Sequence, residues 1–89
     1  MDRERIQEKI LAIFEEQFEI VKPGLHEDLR EVHGFDSIDA IELLREIEIL
    51  LDATLSQDEK KSAMDIRTIS HIVDYVEGLA SAKDLSAAN

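Results

Sequence analysis

The chain has 89 residues, a length that suits one small domain, and it contains no cysteine. Disulfides and thiolate metal sites are therefore excluded, and any thiol chemistry must come from an attached group. Its 21 acidic and 10 basic residues leave a formal net charge of −11. This charge repels nucleic acids and anionic membranes, and it favours partners that present Lys and Arg patches.

No segment is typical of a targeting signal or of a membrane span. The first residues, MDRER, are too polar for the start of a signal peptide. No apolar run approaches the ~20 residues that a transmembrane helix needs. We therefore expect a cytoplasmic protein, and we expect it to be a monomer.

The first predicted element is an amphipathic helix that ends near Glu19. Its apolar residues recur at helical spacing; they are Ile6, Ile10, Ile13, Phe14 and Phe18. Pro23 and Gly24 then break any helix, so a long connection is predicted from about residue 20 to residue 36. A loop of this length is either functional or pinned by its own apolar side chains. The candidates for pinning it are Leu25, Leu29, Val32 and Phe35.

Three further helices are predicted. The second helix begins at Asp36 and Ser37 and runs to about Leu51, with acidic residues in its first turns and no Gly or Pro inside. A short third helical piece is predicted within residues 57–64, and the last helix is predicted from about Thr68 to Ala80. The expected fold is all-α, a four-helix bundle of three longer helices and one short one with a long first loop. The domain spans residues 1–80, and residues 81–89 form a frayed tail.

The second predicted helix has two apolar faces. One is the expected core face; it consists of Ala40, Leu43, Leu44, Ile47, Leu50 and Leu51. The other, here called the isoleucine stripe, consists of Ile38, Ile41 and Ile49. Arg45 lies within this stripe, and four carboxylates flank it: Asp39, Glu42, Glu46 and Glu48. An exposed aliphatic stripe with acidic edges is typical of a docking surface for a partner with an apolar groove and a basic rim. Alternatively, one or two of the isoleucines pack under the long loop.

Residues 33–43, HGFDSIDAIEL, resemble the acyl carrier protein family, with Asp-Ser-Ile in place of its usual Asp-Ser-Leu. The resemblance extends to residues 73–76, VDYV, and covers most of the chain, from about Ile6 to Val76. It implies that a phosphopantetheinyl transferase moves 4′-phosphopantetheine from coenzyme A onto Ser37. The thiol of this group would hold an acyl group as a thioester, so the protein would be a non-catalytic carrier.

The resemblance also implies partners and supporting residues. The partners would be the transferase and an acyl-loading ligase, synthase or acyltransferase in fatty acid, lipid or polyketide-type biosynthesis. Gly34 would allow tight backbone geometry beside Ser37. Asp36 and Asp39 would offer charge to the transferase or help hold its metal ion. A phosphodiester on Ser37 would meet unpaired amides and the positive end of the helix dipole.

Several residues depart from the family pattern. Ile49 and Leu50 stand where carriers of fatty acid synthesis usually have acidic residues, and Arg45 stands where an apolar residue is common. Ser56 replaces a frequent proline. Because these changes lie on or near the partner-reading face, they favour a specialised carrier with its own ligase or synthase.

Two other interpretations of the motif are open. Asp36 and Ser37 also suit a plain helix cap, in which case the protein is an unmodified acidic helical interaction module. His33 lies four residues before Ser37, but a catalytic triad of such close neighbours is not expected. No metal site is predicted, because the three histidines lack ligand spacing and no calcium-loop glycine is present.

Overall fold

A computed structural model describes residues 2–82 of the chain. Within this range the structure contains five α-helices and one 3₁₀ turn, and it contains no strand, which confirms the predicted all-α fold. The helices are α1 (Arg3–Phe18), α2 (Leu29–His33), α3 (Ser37–Leu51), α4 (Gln57–Ser62) and α5 (Ile69–Ala82). The 3₁₀ turn, Ala63–Asp65, follows α4 directly. None of the helices in residues 2–82 has the length and apolar character needed to cross a membrane.

The long helices lie where the hydrophobic periodicity predicts them. α3 begins at Ser37 and ends at Leu51, followed by Asp52 in the left-handed conformation. α5 continues to Ala82, two residues past the predicted end and into the segment predicted as a tail. Residues 83–89, the rest of that predicted tail, lie outside the described residues.

The long first connection contains α2, a helix that the sequence analysis does not predict. The carboxylate of Asp28 caps it by accepting the N–H groups of Arg30 and Glu31. Gly34 ends it with a φ of +67°, a conformation that glycine adopts without strain. Five residues are too few to establish a helical period, and this explains why the apolar pattern does not reveal α2.

Only two of the four side chains predicted to pin this connection do so. Leu29 and Phe35 are buried, but Leu25 and Val32 are exposed, so the prediction is wrong for these two. Two backbone hydrogen bonds secure the long connection instead. The N–H of Ser70 donates to the carbonyl of Leu25 at 3.0 Å, and the N–H of Leu29 donates to the carbonyl of Arg67 at 2.8 Å.

The core lies between α1, α3 and α5, with α1 packed against both of the others. It is mainly aliphatic, as the scarcity of aromatic residues requires. Five of the six residues on the predicted core face of α3 are buried, and the sixth, Leu50, is half-buried against the same cluster. The predicted orientation of α3 is therefore confirmed.

Three phenylalanines form a cluster at one end of this core. The ring centroids of Phe14 and Phe18 lie 5.2 Å apart, and each lies 5.3 Å from that of Phe35. Phe14 and Phe18 belong to α1, whereas Phe35 is the last buried residue before α3. The cluster therefore fixes the end of the long connection against the first helix.

Replacing Phe35 with leucine tests this anchor. Phe35→Leu leaves a cavity in the aromatic cluster and should lower the free energy of unfolding by about 1–2 kcal/mol. Val32→Ala is the matched control, because Val32 lies three residues earlier and is 55% exposed. Its effect should stay within about 0.5 kcal/mol. Urea denaturation measures both, and equal effects would contradict the assigned role of Phe35.

The cap of α2 leads to a second prediction, which concerns how the free energy of unfolding changes at acidic pH. The N–H of Glu31 and, less strongly, the guanidinium of Arg67 hold the pKa of Asp28 below its ordinary value of 3.8. The stabilisation is therefore complete above that ordinary value and is lost as the pH falls through the lower pKa of the folded state. Asp28→Asn should make the free energy of unfolding fall less steeply with acidification below about pH 4.

Urea denaturation over a series of acidic buffers measures this slope. Asp65→Asn is the matched control, because it removes one exposed carboxylate from a turn that has no side-chain cap. It should keep the wild-type slope. If Asp28→Asn and the wild type lose stability in parallel, the charge on Asp28 is not what stabilises α2.

Candidate functional site

Two aspartates fix the beginning of α3. Oδ1 of Asp36 accepts the N–H groups of Ile38 and Asp39, each at 3.0 Å. In return, Oδ2 of Asp39 accepts the N–H of Asp36 at 3.1 Å. This reciprocal capping box satisfies amides that have no partner within the helix. It defines where the helix starts and which residue comes first.

Ser37 is that first residue, and its side chain is exposed. Because Asp36 is the cap, the hydroxyl of Ser37 has no capping function. Among residues 2–82 no group hydrogen-bonds to it. Ser56 differs, since its Oγ accepts the N–H of Glu59 at 3.1 Å and caps α4. The structure thus assigns the cap of α3 to Asp36 alone and leaves Ser37 available for chemistry.

Fewer backbone amides are unpaired at this helix end than the sequence suggests. The expectation of several unpaired amides is wrong, because Asp36 accepts those of Ile38 and Asp39, and its carbonyl accepts that of Ala40. Within residues 2–82 this leaves the N–H of Ser37 itself without a partner. An anionic ester on the Ser37 oxygen would lie beside this amide and at the positive end of the helix dipole. The site therefore fits a phosphodiester, with one amide to receive it.

The backbone before Ser37 turns sharply and stays open to solvent. Gly34 holds a φ of +67°, and a Cβ at this position would meet no heavy atom within 4 Å. Phe35 then points into the core and Asp36 points out. The tight geometry expected at Gly34 is therefore present. Ser37 follows on the exposed side of the chain.

The histidine nearest to Ser37 in the sequence is engaged elsewhere. Nε2 of His33 lies 3.2 Å from Oε1 of Glu27, which also accepts the N–H of Gly24 at 2.6 Å. These contacts, with the amide of Gly24 first, lower the pKa of Glu27. His33 thus stabilises the long connection and forms no triad with Ser37. The part of the chain from residue 2 to residue 82 also holds no cluster of three or more side chains suited to a metal ion.

The isoleucine stripe lies on the surface. Ile38 and Ile49 are 74% exposed and Ile41 is 57% exposed, so none of the three belongs to the core. Of the flanking residues, Glu42 and Arg45 are exposed, and Asp39 and Glu46 are half-buried. Glu48 has a structural contact, because its Oε2 accepts the N–H of Leu55 at 2.8 Å beyond the end of α3.

A groove of about 300 Å³ runs beside this surface, between α3 and the segment of α4 and the 3₁₀ turn. Its lining residues are Ile41, Leu44, Arg45, Glu48, Lys60 and Met64. The sequence analysis does not identify Lys60 and Met64 as site residues. No residue of α4 is buried, so no apolar pattern shows which of its faces meets α3.

Two hydrogen bonds hold the wall of this groove that lies opposite α3 and consists of α4 and the 3₁₀ turn. Nη2 of Arg30 donates to the carbonyl of Met64 at 2.9 Å, and the hydroxyl of Tyr75 donates to the carbonyl of Glu59. Burial raises the pKa of Tyr75 to about 12, so this hydroxyl stays protonated at neutral pH. The segment opposite α3 is therefore tied to both α2 and α5.

Comparison with known proteins agrees with this geometry. A family model described as "Phosphopantetheine attachment site" matches residues 8–76. The chain is 35% identical over 88 residues to an acyl carrier protein of Saccharopolyspora erythraea, covering 92% of this chain and 90% of that protein. It is 34% identical over 71 residues to an acyl carrier protein of Trieres chinensis, covering 78% and 85% respectively. The chain therefore belongs to the acyl carrier protein family, whose members are not enzymes but carriers built around a 4′-phosphopantetheine group.

Proposed function

We propose that Ser37 is the attachment residue for 4′-phosphopantetheine and that the protein carries acyl intermediates as thioesters on this group. The observation that supports this assignment is the free hydroxyl at the start of α3. It is exposed, it lies within the matched residues 8–76, and the neighbouring Asp36 performs the capping in its place. The group supplies the thiol that the cysteine-free chain lacks.

The residues around Ser37 support a simple transfer step. The Ser37 oxygen forms a bond to the phosphorus that bears the pantetheine part of coenzyme A. The bond from that phosphorus to the adenosine 3′,5′-bisphosphate part breaks, and this part leaves. No base contacts the hydroxyl within residues 2–82, so its proton passes to a base of the transferase. The contribution of this chain is position and access.

The two capping aspartates also face the transferase. Within residues 2–82, Asp36 uses only Oδ1 for the helix amides, and Asp39 uses only Oδ2. The other oxygen of each carboxylate is available to basic residues of the transferase or to its metal ion. Gly34, two residues before Asp36, adds open space on this side, because a Cβ there would meet no heavy atom within 4 Å.

The isoleucine stripe and its acidic edges are the docking surface in this proposal. Ile38 and Ile49 stand out on the exposed face of α3, and carboxylates of the same helix flank them. An enzyme with an apolar groove and a basic rim complements both features. Such a partner would be an acyl-loading ligase, a synthase or an acyltransferase. Arg45 and Ile49 depart from the residues usual in carriers of fatty acid synthesis, which favours a specialised pathway of fatty acid, lipid or polyketide type.

Mass spectrometry of the intact protein tests the attachment residue. Wild-type protein incubated with coenzyme A and a broad-specificity phosphopantetheinyl transferase should gain the mass of one 4′-phosphopantetheine. Ser37→Ala should gain none. Ser56→Ala is the matched control, because Ser56 is also an exposed serine at the start of a helix, and this variant should still be modified. If the wild type gains no mass, the proposal fails, and the protein is better interpreted as an unmodified interaction module.

A charge placed on the isoleucine stripe tests the docking surface. Ile41→Asp should lower kcat/KM of the transferase for the carrier about tenfold, because the apolar contact is replaced by a solvated carboxylate. Circular dichroism should show unchanged helicity, with a melting temperature within about 5 °C of the wild type. Val21→Asp is the matched control, since Val21 is 58% exposed and lies in the first loop.

The Val21 variant should keep the wild-type kcat/KM. Equal kcat/KM values for Ile41→Asp and the wild type would exclude Ile41 from the docking surface. Loss of helicity in Ile41→Asp would contradict the exposed position of Ile41.

A further inference from the structure

Positive charge interrupts the acidic surface of α3 at one place. Arg45 lies within the isoleucine stripe, and its side chain is exposed. Glu42 and Glu48 lie three residues before and after it, a spacing at which opposite charges on a helix can pair. Within residues 2–82, however, Arg45 forms no ion pair with either of them. Its charge is therefore presented to whatever binds this face.

Lys60 of α4 adds a second positive charge beside the first. It lines the same groove as Arg45, and it too forms no ion pair in the part of the chain that the structure describes, residues 2–82. Arg3 differs, since it pairs with two carboxylates of α5. Glu48 is the carboxylate on the groove lining, and one of its oxygens already accepts the N–H of Leu55. Arg45 and Lys60, here called the basic edge, thus reverse the sign of the charge locally in a chain whose net charge is −11.

The two signs of charge lie on opposite edges of the isoleucine stripe. Successive residues of an α-helix turn by about 100°, so Glu42 and Glu46 lie about 60° and about 100° further round α3 than Arg45. Ile38 and Ile49 lie at angles between Arg45 and Glu42. On the other side of Arg45, α3 faces α4 across the groove. Glu42 and Glu46, here called the acidic edge, are therefore separated from the basic edge by exposed isoleucine.

This arrangement limits which protein surfaces are complementary to α3. A basic rim suits the acidic edge, but the same rim is repelled where it lies over the basic edge. A surface that carries carboxylates over the basic edge is attracted on both sides of the stripe, and it is repelled when it is turned round. The basic edge therefore discriminates among enzymes that offer the same apolar contact.

We propose that the basic edge docks against carboxylates of the partner enzyme, while the stripe and the acidic edge receive its apolar and basic residues. The partner is therefore an enzyme whose carrier-binding surface is of mixed sign, acidic opposite Arg45 and Lys60. This inference rests on the docking surface proposed above. It adds to that surface the sign of the charge that each edge meets, and with it the orientation of the bound enzyme.

Two synthetic helical peptides with the same leucine stripe provide the test. One carries lysine along both edges of its stripe, and the other, the mixed peptide, carries lysine along one edge and glutamate along the other. Charged residues on the far face give both peptides the same net charge, so the overall charge of the carrier does not separate them. Fluorescence anisotropy measures the Kd of each labelled peptide for the full-length carrier.

The mixed peptide should bind the wild type about tenfold more tightly in about 0.15 M NaCl, because its contacts with the basic edge change from repulsion to attraction. The difference should shrink at about 1 M NaCl, where the Debye length is about 3 Å. The apolar contact does not depend on charge, so both peptides should still bind at the higher salt concentration.

Charge-neutral variants identify the residues. Arg45→Gln/Lys60→Gln should bring the two Kd values within about twofold of each other, because a neutral edge does not distinguish lysine from glutamate. The matched control is Arg5→Gln/Lys9→Gln, which removes the same charge from two exposed positions on α1 and should keep the difference. Ile41→Asp should weaken the binding of both peptides, which locates them on the stripe.

Each alternative outcome has a distinct meaning. If the two peptides bind the wild type equally, or the lysine-only peptide binds more tightly, and Ile41→Asp still weakens both, the inference is overturned and the stripe remains a docking surface. Loss of the difference in the α1 control would also overturn it, because total charge would then explain the preference. If neither peptide binds, or Ile41→Asp has no effect, the docking surface itself is refuted, and the inference fails with it. The attachment at Ser37 is tested independently by intact mass.

Discussion

The burial of Phe35 is the constraint on which the site depends. Its ring stacks on Phe14 at 5.3 Å, and its N–H donates to the carbonyl of Leu29 at 3.0 Å. Phe35 is held in the core, and the capping box of Asp36 follows at the next residue. Ser37 therefore has a defined place on the surface even though a long connection precedes it. The arrangement lets a loop of irregular backbone deliver one hydroxyl to a fixed position.

The division of tasks between Asp36 and Ser37 has an energetic consequence. An N-cap side chain contributes typically about 1 kcal/mol, and a serine that caps a helix would lose its acceptor geometry once its oxygen was esterified. Ser56 is in that situation, because its Oγ binds the N–H of Glu59. Ser37 is not, because Asp36 provides both capping contacts. A group attached to Ser37 thus adds charge at a favourable helix end without removing a hydrogen bond that the fold uses.

Sequence reasoning finds the helices that are long enough for the apolar pattern to repeat several times. α1, α3 and α5 run for four turns or so, and their apolar residues define both their limits and their buried faces. α2 is too short for such a pattern, and its cap and its glycine become meaningful only once its position is known. The groove is missed for another reason, since Lys60 and Met64 come from a segment whose helix buries nothing. Which face of α3 that segment meets depends on tertiary contacts made by Arg30 and Tyr75, and these leave no local signature.

Ile41 links the two surfaces that α3 presents. It belongs to the isoleucine stripe, and it also lines the groove. Its exposure, 57% against 74% for Ile38 and Ile49, reflects this position at the boundary. A partner that covers the stripe must also cover the edge of the groove, so binding of a partner at Ile41 would also limit the access of solvent to the groove.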